Sequence, residues 1–67
     1  MSAYVVLLTG FSEKLLVEVE ANTLADLAHE LSCTRFLVGR LVEADGEMMS
    51  RGVVVPVSRI GMIAEPD

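Results

Sequence analysis

The run Ala3–Thr9, AYVVLLT, constrains this chain more than any other feature. It is β-branched and aromatic. It is also apolar at odd and even positions alike, so it reads as a central strand that needs cover on both faces. The chain has 67 residues. Domains usually take about 100–200 residues, so a second core is excluded and residues 1–67 form one unit. A chain this short buries only roughly 60% of the surface its unfolded form exposes. Small domains should therefore look polar, yet 52% of these residues are hydrophobic and the mean hydropathy is +0.53. One copy carries more apolar side chains than it is expected to hide.

Leu15–Glu20 alternates, with Leu15, Val17 and Val19 on one face and Leu16, Glu18 and Glu20 on the other. That pattern predicts a half-buried strand. Gly10-Phe11-Ser12-Glu13-Lys14 is the turn that joins it to the first strand as a hairpin. Thr23, three residues before Asp26, is a capping-box variant that opens a helix. Leu24, Leu27, Ala28 and Leu31 then recur at i, i+3, i+4 and i+7, an apolar stripe that should lie on the sheet. The helix should stop near Ser32–Thr34, where helix propensity drops.

Arg35–Val42, RFLVGRLV, fits either a strand or a continued helix. Gly39 costs about 1 kcal/mol inside a helix, and Phe36, Val38 and Val42 favour a strand, so strand is preferred. Glu43–Arg51 reads as a polar loop with Asp45-Gly46 as a turn signal. Gly52–Val57 is a β-branched run. Pro56 lacks a ladder donor, so that strand ends there or lies at an edge. Ser58-Arg59 makes a corner, Ile60–Ala64 is a short last strand, and Glu65-Pro66-Asp67 is a tail. The expected fold is a single α+β domain of order β-β-α-β-β-β. One helix packs on a mostly antiparallel sheet, whose uncovered face is closed by a partial barrel or by a second copy.

Two resemblances follow. Leu15–Leu31, a strand, Ala-Asn-Thr and then LADLAHEL, looks like the strand-to-helix step of β-grasp sulfur carriers. Those proteins end in Gly-Gly, where the sulfur is loaded. This chain reads Glu65-Pro66-Asp67 there, so that activity is not carried over. Phe36–Ile63 is similar to the last strands of small Sm-like barrels, without their N-terminal helix or matching RNA-contacting residues. Each resemblance spans less than half the chain, and neither assigns a family.

Composition removes several classes of function. Five Lys+Arg against ten Asp+Glu give a net charge of −5, the wrong balance for a general phosphate-backbone binder. The longest charge-free run is Met1–Ser12, and a membrane span needs about 20 apolar residues. That run has no basic residue, so it is not read as an export signal. Cys33 is the single cysteine and cannot form an internal disulfide. The chain is therefore expected to be cytoplasmic.

Few residues suggest chemistry. Asp26, His29 and Cys33 share a helix face, but a zinc site usually needs four ligands, so completion would require an interface between copies. Glu18 and Glu20 are like charges on one strand face, about 7 Å apart, too far to share a proton. Arg35, Arg40, Arg51 and Arg59 could line a phosphate or carboxylate site, with Glu43, Asp45 and Glu47 interleaved as ion-pair partners. Arg40 shares an apolar strand face with Phe36, Val38 and Val42, so it should be paired, in one reading across a subunit boundary. Met48 and Met49 are adaptable apolar side chains in the polar segment. The five glycines are scattered singly, so there is no glycine-rich phosphate loop. Tyr4, Phe11 and Phe36 lie too far apart in sequence to suggest a base-stacking platform.

No catalytic residue, cofactor or metal is expected. The leading expectation is a non-enzymatic regulatory or adaptor protein, bacterial or phage in style, that docks on another protein. It should form a homodimer or larger homo-oligomer. The expected interface residues are Val5, Leu7, Leu16, Arg40, Met48, Met49, Val53 and Val55. The alternative is a small-barrel ligand or nucleic-acid binder that uses the four arginines.

Overall fold

In the computed structural model, which describes residues 1–66, the run apolar on both faces forms the strand β1, Ser2–Leu8. The strand β2, Lys14–Val19, returns antiparallel beside it, with Tyr4 opposite Val17 and Val5 opposite Leu16. Side chains alternate across a strand, so this register sends Tyr4, Val6, Val17 and Val19 to one face and Val5, Leu7 and Leu16 to the other. Of the three tail residues, Glu65 and Pro66 follow the last strand without regular structure. Asp67 lies outside the described residues.

The helix α1 covers Leu24–Leu31. The Thr23 hydroxyl accepts a hydrogen bond from the Asp26 backbone N–H at 3.0 Å, which satisfies one of the unpaired donors of the first turn. Leu27 is buried at 1% exposure and Leu31 packs against the core. Leu24 and Ala28, from the same predicted stripe, stay exposed. Eight residues make a rod of about 12 Å, little more than two turns, and of these Leu27 and Leu31 reach the core.

The run Arg35–Val42 resolves in favour of strand: Phe36–Val42 belong to β3, Phe36–Ala44, and Arg35 stands just before it. The predicted polar loop over Glu43–Arg51 is corrected. Only Asp45 and Gly46 turn, with φ of 52° and 85°, and β4 runs from Glu47 to Pro56. Positive φ at both central residues is what a two-residue hairpin turn of this twist needs, and Asp-Gly supplies it. The segment looked like a loop because it is polar, but β4 is an edge strand with much of its length in solvent. Met48 and Met49 therefore belong to a strand and point to opposite faces. Pro56 ends β4 as well as lying on an edge, which suits a residue with no donor. The short helix Val57–Arg59 turns the corner into β5, Ile60–Ala64, which pairs with β1.

The sheet order is β4-β3-β2-β1-β5 and every pairing is antiparallel. β4 and β5 are the two ends of that order, so the barrel-like closure considered above does not occur. β5 uses its edge on β1, and β4 stops at Pro56.

The core lies between α1 and one face of the sheet. Tyr4, Val6, Val17, Val19, Leu27, Leu37 and Val55 form it. Each fully buried aliphatic side chain contributes about 1.5–3 kcal/mol relative to exposure. The opposite face carries no further layer among the described residues. No helix among them is long and apolar enough to cross a membrane.

Candidate functional site

The strand registers map the uncovered face. Phe36 on β3 stands opposite Pro56 on β4, and Val38 opposite Val54. Phe36 is 52% exposed, Val38 68% and Val54 61%. Cross-strand apolar pairs stabilise a sheet when something covers them. Here they form a contiguous apolar corner in water. Contiguous exposed apolar patches mark interaction sites more often than isolated apolar residues do.

A second apolar patch lies diagonally across the same face. Val5 is opposite Leu16 on one side and Ala64 on the other, and Leu7 is opposite Met62. Val5, Leu7, Leu16 and Ala64 are half-buried, and Met62 is exposed. Between the patches, Glu18 of β2 is the cross-strand partner of Arg40 on β3. The Arg40 guanidinium donates to the Ser50 hydroxyl on β4 at 3.1 Å.

The structure sorts the expected interface residues. Val5, Leu7, Leu16, Arg40 and Met48 lie on the uncovered face. Met49 is half-buried on the core side of β4. Val55 is a core residue and Val53 packs against the core, so Val54 is the residue of that run that faces outward. An unbroken count from the Asp45-Gly46 turn would set Val53 opposite Val38 and Val55 opposite Phe36. The register shifts by one residue between Leu41 and Glu43, which reverses those faces. Phe36, Val38, Val54 and Met62 are the exposed residues missing from the expected set. The apolar alternation Phe36-Val38 was the visible signal for the first two.

The arginines do not share one surface. Arg40 faces outward opposite Gly52, whereas Arg51 is paired with Leu41 on the core side of the sheet. Arg35 precedes β3, where its carbonyl accepts from the Val57 N–H at 2.9 Å. Arg59 closes the short helix. Asp26, His29 and Cys33 are all exposed on α1 and the turn after it. The Cys33 thiol lies 3.6 Å from the Ser32 hydroxyl. Among the described residues, no three His, Cys, Asp or Glu side chains are placed to hold one metal ion. Glu18, Glu20 and Glu30 line a depression with Arg40 and Val38, which gives it mixed charge and an apolar wall. Comparison with protein-family models, with curated proteins and with solved structures found no match to this chain.

Proposed function

We propose that this protein is a small non-enzymatic docking module, a regulator or adaptor, that binds other protein surfaces and itself through the uncovered sheet face. One observation carries the reading: Phe36, Val38 and Val54 form an exposed apolar corner on a hydrogen-bonded pair of strands. Covering a further 100 Å² of such a surface gains about 2.5 kcal/mol before ordering costs. The alternative, an anion or nucleic-acid site built from the four arginines, lacks a converging basic surface.

A photoreactive amino acid at Val38, exposed on the sheet, and one at Ala25, exposed on α1, test the reading in cells. The expected result is a discrete protein adduct from position 38 that position 25 does not give, lost when Val54→Asp is added. Equal labelling from the two positions overturns it.

A further inference from the structure

We infer that the uncovered face is occupied by a second copy of this chain, related by a two-fold axis that lays Arg40 of one copy over the partner's Glu18. This rests on the docking reading and names the occupant of the same face. The face has the symmetry such a dimer needs. The two apolar patches, Phe36, Val38 and Val54 on one side and Val5, Leu7 and Met62 on the other, flank the Glu18–Arg40 pair. Arg40 lies on the side of the first patch and Glu18 on the side of the second. A two-fold axis in the plane of the face, passing between them obliquely to the strands, brings each patch over the partner's other patch. The same rotation brings each arginine over the partner's glutamate. An isologous interface requires this self-complementarity.

The size is sufficient. The molecule measures 30 × 26 × 22 Å. A face of that breadth offers roughly 600 Å² per copy, or about 1,200 Å² for the pair, the lower end of stable specific interfaces. Packed sheets lie about 10 Å apart, within reach of an arginine side chain from one face to the other. The net charge of −5 makes unspecific approach of two copies repulsive. The Arg40–Glu18 contacts then favour the arrangement that pairs both groups, because a charge buried without its counter-ion is costly.

The test is charge reversal followed by mixing, read by light scattering after size exclusion at micromolar concentration. The wild type is expected at twice the 7.2 kDa chain mass. E18R alone and R40E alone are each expected at the single-chain mass, since each places like charges face to face. Mixed in equal amounts, they should return to the doubled mass, because two arginines on one copy then meet two glutamates on the other. Return on mixing also shows that both variants are folded. A wild type that runs as a single chain overturns the proposal. So does a mixture no more associated than its components. If the wild type is a single chain and the Val38 probe still captures one different protein, the docking reading stands and the second-copy assignment fails. If the Val38 probe captures nothing and charge reversal has no effect on association, both fail.

Discussion

Gly39 of β3 sits so close to Glu18 of β2 that a Cβ at position 39 would lie 2.6 Å from the Glu18 carbonyl oxygen and 2.8 Å from a Val17 methyl. A carbonyl held in a strand ladder cannot step aside as a side-chain tip can. The glycine is therefore a packing requirement of the β2–β3 contact. Gly39→Ala is expected to destabilise the domain by about 1–3 kcal/mol, the usual range for overpacking a filled site. Urea unfolding measures it, and an unchanged midpoint would mean that β2 and β3 do not approach so closely.

Leu27 anchors the helix. It is 1% exposed and packs among Tyr4, Val17 and Leu37, whereas Leu24, one turn earlier, is 37% exposed. Leu27→Ala should cost about 2–5 kcal/mol. A domain of this size has a total stability of roughly 3–10 kcal/mol, so that loss takes it close to unfolding. Leu24→Ala should cost well under half as much. Equal losses at the two positions, measured by denaturant titration, would show that the helix meets the sheet along its whole apolar stripe.

The Asp45-Gly46 turn sets where β4 begins. Gly46 has φ of 85°, a region that a residue with a Cβ occupies only with strain. Gly46→Ala should lower stability by about 1 kcal/mol, which in a domain this small lowers Tm by about 4–8 °C. Asp45→Gly keeps the turn permissible and should shift Tm by much less. A Tm unmoved by Gly46→Ala would argue for a longer, irregular loop.

Much of the fold was visible in the sequence where one physical signal dominated. The both-face apolar run specifies β1, Thr23 and the leucine spacing specify α1, and the run Ile60–Ala64 coincides with β5 to the residue. Composition conceals β4, because an edge strand in solvent has the composition of a loop. The side-chain faces of Val53, Val54 and Val55 were not visible at all. They depend on a one-residue register shift between Leu41 and Glu43. Alternation has period two, so a single slip exchanges inside for outside, and no local pattern in a run of valines records it. The candidate face was legible as a surplus of apolar side chains, while its occupants had to be read from the register.

Those three valines also give the sharpest separation of folding from docking. Val55 is 7% exposed and belongs to the core, and Val54, its neighbour, is 61% exposed on the other face. Val55→Asp places a carboxylate among Leu27 and Leu37 with no partner for its charge. That cost, several kcal/mol, is comparable to the whole stability of the domain, so circular dichroism should report an unfolded chain. Val54→Asp puts the same group in water. Its effect on stability should stay within about 0.5 kcal/mol. It should nevertheless abolish association and the crosslink from position 38, because the carboxylate would have to be desolvated beneath a partner. Unfolding by Val54→Asp would show that β4 lies with the other face inward, and the map of the uncovered surface would then have to be redrawn from β3 outward.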